Sequence, residues 1–182
     1  MLTWQTIAVT ALVGALAPTG VASAAVQSTS AKTTAVRTLS AQDEAEIRQL
    51  SVRYAHALGL CQADEYAKVF TTDGFYSSSE FAGEVHRQMY GPNGAKIPRR
   101  DMTRFVMSEP QCTNSIAPKT PREAPANIPV HATKEGAAAT IPLANGAVYQ
   151  DSYVKTPDGW RIKSREHIRA GQTAFSTRTT SK

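Results

Sequence analysis

The first 31 residues contain no Lys, Arg, Asp or Glu. Within them Ile7–Leu16 is an apolar run, which Pro18 and Gly20 interrupt well short of the roughly 20 residues that a membrane span needs. Val21-Ala22-Ser23-Ala24 then places small residues at cleavage positions. The pattern predicts a secretory signal peptide over 1–24 and an exported product, periplasmic or secreted, with no stable membrane insertion afterwards. A positive charge ahead of the apolar run is missing, and a short membrane anchor is the alternative. Cysteine is scarce: Cys61 and Cys112 are the only two. Neither sits in a CxxC or Cys/His cluster, so no metal and no redox cofactor is expected. In an oxidising compartment an even pair reads as one disulfide. It would close a loop of about 50 residues and contribute on the order of 4 kcal/mol. Two separate buried thiols are the alternative, because spacing does not establish proximity. Runs of positive charge are absent too. The net charge is +5, yet no run of Lys or Arg exceeds two residues. Basic and aromatic residues do not interleave, which argues against a nucleic-acid partner.

What is present is enough for one core, with 41% hydrophobic residues. Residues 25–39 are rich in Ala, Ser and Thr and read as a flexible linker. A domain is expected over 40–170 and a tail over 171–182. Ser40 and Asp43 have the spacing of a capping box. Ile47, Leu50, Tyr54 and Leu58 follow as one apolar helical stripe, which Gly59 ends. His56 falls on the wet side. A second helix is expected over 63–70, burying Tyr66, Val69 and Phe70. Thr71 to Gly74 then reads as a turn and Phe75-Tyr76 as the start of a strand. A helix is expected over 80–90. Between Gly91 and Pro129 lie seven of the ten prolines. Regular structure is sparse there apart from an expected strand over 102–108, and a stretch of this kind is usually functional or mobile. Strands resume over 128–133 and 137–143.

A hairpin closes the domain, AVYQDSYVKTPDGWRIKSREHI, over 147–168. Thr156-Pro157-Asp158-Gly159 supplies its turn, with Pro fixing φ and Gly accepting positive φ. In the expected register Thr156 faces Trp160, Asp151 faces Arg165 and Tyr149 faces His167. Alternation then puts Val148, Val154, Trp160, Ile162 and Ile168 on one face. It puts Tyr149, Asp151, Tyr153, Arg165 and His167 on the other. That second face is either a solvated surface with a cross-strand ion pair or the floor of a reactive pocket. Helices first and antiparallel strands after predict an α+β layer, a curved sheet packed on helices.

Three stretches together, RYAHAL (53–58), EYAKVFTTDGFY (65–76) and YQDSYVKTPDGWRIKSR (149–165), resemble the nuclear transport factor 2-like superfamily in its SnoaL-like branch. Relatives include polyketide cyclases, scytalone dehydratase, ketosteroid isomerase and limonene epoxide hydrolase. The resemblance implies a cone-shaped α+β barrel with a central pocket between the long helix and the concave sheet. It also implies a homodimer and acid/base chemistry without a cofactor. Tyr54 matches the oxyanion-hole tyrosine of the isomerase branch. Asp151 falls at, or one residue from, that branch's second donor, an acid held protonated. The isomerase base corresponds to Ser78, and the acid that many relatives carry at the end of the first helix corresponds to Gly59. A middle-strand His of the family corresponds to Arg104.

With both usual bases absent, His131 and His167 are the candidate general bases. Tyr54 and Asp151 join them as catalytic candidates. Arg165, Arg104, Tyr149 and Tyr76 are the candidate substrate-binding residues. The aromatic side chains suit a small aromatic or polyketide-like ligand. The expected function is an exported, cofactor-independent lyase, dehydratase or isomerase; a non-catalytic carrier of such ligands is the alternative.

Overall fold

The chain is seen here in a computed structural model that describes residues 38–79, 84–90 and 96–172. The expected signal peptide, and all but the last two residues of the expected linker, lie outside them, as does the tail beyond residue 172. Helix α1 spans Ala41–Gly59 and starts at the expected capping box, with Ser40 and Asp43 bonded reciprocally. Its stripe is buried as the spacing requires: Ile47, Leu50, Tyr54 and Leu58 are all in the core. Each such side chain contributes about 1.5–3 kcal/mol by leaving water. The helix ends in a Schellman arrangement. Gln62 N–H donates to Ala57 O at 2.8 Å and Cys61 N–H to Leu58 O at 3.3 Å. The left-handed residue is Cys61, at φ 57, so Gly59 is not the terminator that its type suggested.

Helix α2 (Ala63–Lys68) leads into strand β1 (Phe70–Ser78). No turn separates Phe70 from Phe75. Thr71 to Gly74 belong to the strand, as an irregularity in its pairing. Helix α3 (Glu84–Tyr90) is shorter than expected, and residues 80–83 lie outside the described set. Strand β2 (Lys96–Pro98) was not foreseen. The strand expected over 102–108 is corrected to helix α4 (Met102–Met107), whose buried residues Met102, Phe105 and Val106 have helical spacing. A four-residue helix, α5 (Pro110–Thr113), carries Cys112. Strands β3 (Val130–Ala132), β4 (Ala137–Pro142), β5 (Val148–Thr156) and β6 (Gly159–Ile168) complete the chain.

The six strands form one curved, unclosed mixed sheet in the order β2-β1-β6-β5-β4-β3. Only β1 and β6 run parallel. Helix α1 lies across β6, and the core sits between them. The hairpin keeps the expected pairs Asp151↔Arg165 and Tyr149↔His167. Nearer the turn it departs from expectation: Thr156 pairs with Gly159 and Lys155 with Trp160. The pairing shifts between Ser152 and Tyr153, with Lys163 as the extra residue on β6. A bulge of this kind moves the following side chains to the other face. Trp160 and Ile162 therefore share the face of Tyr153 and Asp151, and both are buried in the core.

Candidate functional site

The lateral pairs of the sheet decide which side chains look toward α1. Ala139, Asp151, Arg165, Tyr76 and Ile97 lie in one row. Tyr149, His167 and Ser78 lie in the next row on the same face. His131 pairs with Ala138, which pairs with Ser152, so it belongs to the opposite face; it is also exposed. The expectation that His131 shares the concave face is corrected: it sits one residue out of phase.

Arg165 is the centre of the concave face, with its side chain 1% exposed. Its Nε donates to Asp151 Oδ1 at 2.9 Å and its Nη2 to Asp151 Oδ2 at 2.5 Å. Nη2 also donates to Ser51 Oγ on α1 at 3.0 Å. The guanidinium lies 4.2 Å from the Tyr54 ring centre and 4.7 Å from that of Tyr149, within cation–π range of both. Nη1 makes no hydrogen bond to the described residues. Burial pulls the guanidinium pKa down. The charge and hydrogen bonds of Asp151, with Tyr153 and Tyr54, outweigh it and leave the pKa well above its ordinary value.

Asp151 accepts at both oxygens, from Arg165 and from Tyr153 OH at 2.5 Å. It is the ion-pair partner of Arg165. Burial raises the pKa of Tyr54, and Tyr149 adds to the effect while Arg165 opposes it. Burial likewise holds the phenols of Tyr66 and Tyr76 well above their ordinary value. These phenols stay protonated at neutral pH, so each is a donor and none is a base.

A cavity of about 280 Å³ opens beside this cluster. Helix α1 lends it Ser51, Tyr54 and Leu58, and the sheet lends Tyr149 and Arg165. Residues 122–125 and 142–144 form the remaining wall. Asp151 lies behind Arg165 and does not border the space; neither does Tyr76, which packs in the core against Phe105. His167 is beside it. Its ring centre is 5.6 Å from that of Tyr149, and its Nδ1 is 3.1 Å from Ser78 Oγ. Ser78 is thus bonded to a histidine of the next strand. Arg104 is elsewhere: it is exposed on α4 and donates to Met89 O at 2.8 Å.

The expected disulfide is present between Cys61 and Cys112. Among the described residues no group of three or more His, Cys, Asp or Glu is arranged to hold a metal ion. Sequence reasoning missed the strap over 114–129, and with it Arg122 and Glu123. A Cβ on Gly59 would stand 2.2 Å from Thr120 O and 2.6 Å from Arg122 N. Glycine is needed there because the strap's backbone crosses the end of α1. The signal was a proline-rich segment downstream of a glycine.

A family model described as SnoaL-like domain matches residues 39–166. Three solved structures share the fold. One is a protein with a cystatin-like fold from Nostoc punctiforme, 15% identical, TM-score 0.53, covering 72% of this chain and 94% of that one. The second is a nuclear transport factor 2-like protein with a cystatin-like fold from Novosphingobium aromaticivorans, 17% identical, TM-score 0.51, covering 72% and 84%. The third is ActVI-ORFA from Streptomyces coelicolor, 17% identical, TM-score 0.50, covering 73% and 97%. At these identities the likeness is one of fold. No curated protein matches the sequence.

Proposed function

The chain belongs to the SnoaL-like domain family, and from that premise we propose that it is an exported, cofactor-independent enzyme of acid/base chemistry. The reaction class is lyase, dehydratase or isomerase, and the substrate is a small aromatic or polyketide-like molecule. The observation that carries this reading is Arg165. A fixed, buried cation borders a cavity with one nitrogen unused by the described residues. Elimination and enolisation both build negative charge on an oxygen. A preorganised donor in a water-poor site stabilises that charge without reorganising at the moment of reaction. Asp151 and Ser51 aim the guanidinium, and Tyr54 and Tyr149 flank it as phenol donors. His167, bonded to Ser78, orients Tyr149. Export is supported by the disulfide and by the uncharged, small-residue N-terminus.

The test is turnover of a panel of aromatic ketones, alcohols and diols with no added cofactor, comparing wild type with Tyr54→Phe. Loss of one oxyanion donor is expected to lower kcat by about 10²–10³-fold. Equal rates would remove Tyr54 from the mechanism. One observation favours the second reading, a carrier: no histidine borders the cavity. Tight binding of panel members with no conversion of any would establish carriage.

A further inference from the structure

Removing a proton from carbon needs an acceptor inside the cavity, and most groups near it do not qualify. Burial holds the Tyr54 phenol protonated. Asp151 is occupied by Arg165 and Tyr153 and lies behind them. His131 is on the other face of the sheet, and His167 does not border the space. Among the described residues one acidic residue does border it: Glu123, on the strap. Among the described residues Glu123 forms no ion pair or hydrogen bond, whereas its neighbour Arg122 is tied to Glu109 at 3.2 Å. The strap that presents it is anchored at several points. Its backbone at Thr120 and Arg122 sits on Gly59, and Lys119 donates to Asn114 O at 2.7 Å and to Gln111 O. The disulfide ties Cys112, shortly before the strap, to Cys61 at the end of α1.

We propose that Glu123 is the proton acceptor of this cavity, carried in by the strap that docks on Gly59. Its substrate is a carbonyl compound of one or two fused rings with an acidic hydrogen on the carbon next to the carbonyl. This rests on the acid/base reading above and supplies the base which that reading lacks. The size follows from the cavity, at about 280 Å³ near the lower end of the range for small-molecule sites. In the reaction a Glu123 oxygen takes the α-hydrogen as a proton. The C–H bond breaks and its electron pair forms the enolate double bond. The carbonyl π pair moves onto oxygen, where Arg165 Nη1 and the Tyr54 phenol receive the charge. The proton returns from Glu123 to the same carbon, giving exchange, or to another atom, giving isomerisation. No oxidant or co-reactant is required.

The experiment follows deuterium exchange at the α-carbon of 2-tetralone in D₂O by proton NMR, with binding of 2-naphthol followed by fluorescence. Wild type should accelerate exchange over buffer. Glu123→Gln should slow exchange by about 10²–10⁴-fold. It should leave the 2-naphthol Kd within about threefold, because the loss is confined to the transition state. Glu123→Asp should fall between them. Glu123 is exposed, so an unchanged melting temperature is expected for its variants. Equal exchange by wild type and Glu123→Gln overturns this inference and leaves the proposed function standing. Binding of 2-naphthol with no exchange above buffer in wild type overturns both, as does failure of 2-naphthol to bind.

Discussion

Arg165 takes a positive charge into the core, and desolvating such an ion costs several kcal/mol even after relaxation. The chain offsets this with three hydrogen-bonded contacts to Asp151, one to Ser51 and two aromatic faces. Replacing such a pair by apolar groups is often neutral, so stability alone does not account for it. Orientation of a cation at the cavity does. Asp151→Ala leaves the guanidinium buried and unpaired, and a loss of about 3–5 kcal/mol is expected in denaturant unfolding. Asp151→Leu combined with Arg165→Met should be more stable than Asp151→Ala while losing ligand binding. A loss below about 1 kcal/mol for Asp151→Ala would mean that the cation has another partner, and the account of Arg165 would fail.

Helix α1 and the β5–β6 hairpin are joined at one end by Asp43. Its carboxylate accepts from Trp160 Nε1 at 2.7 Å and from Lys155 Nζ at 2.7 Å, as well as from Ser40. These contacts, Lys155 first, then Trp160 and Ser40, hold its pKa well below the usual carboxylate range. A folded-state pKa depressed in this way stabilises above the unfolded value near 4 and is lost as pH falls through the folded one. Acid should therefore release the hairpin tip from α1. The indole Nε1–H resonance of Trp160 reports it, and Asp43→Asn should abolish the acid-range change in that resonance. An unchanged titration in Asp43→Asn would break the link. The capping box, the helical stripe and the pairs Asp151↔Arg165 and Tyr149↔His167 were legible because each rests on local spacing. The bulge at Lys163 was not, since no Gly or Asn marks it, and Trp160 was assigned to the wrong face in consequence. Helix α4 was misread because Phe105-Val106 favours strands by type, while Met102, Phe105 and Val106 follow the helical period. Glu123 and the cavity wall were illegible for another reason. They depend on a contact between Gly59 and Thr120, 61 positions downstream, that no local pattern encodes.

The whole molecule is closed by that contact and by the disulfide. Cys61 and Cys112 are 51 residues apart in sequence. Closing a loop of this length removes unfolded-state entropy worth about 4 kcal/mol in the chain-entropy model. The two crosslinked points are the end of α1 and helix α5, just before the strap, so the crosslink is expected to act on the cavity as well as on stability. Chain recovered from an exporting cell should begin near Ala25, carry the disulfide and bind 2-naphthol. The same chain retained in a reducing cytosol, or Cys61→Ala/Cys112→Ala, should unfold with about 4 kcal/mol less free energy. It should also bind the probe more weakly, because Gly59 no longer has a tethered strap to meet. The two measurements separate the effects. Lowered stability with unchanged binding would leave the strap docked by Gly59 alone, and unchanged stability would mean that the disulfide does not constrain the unfolded chain.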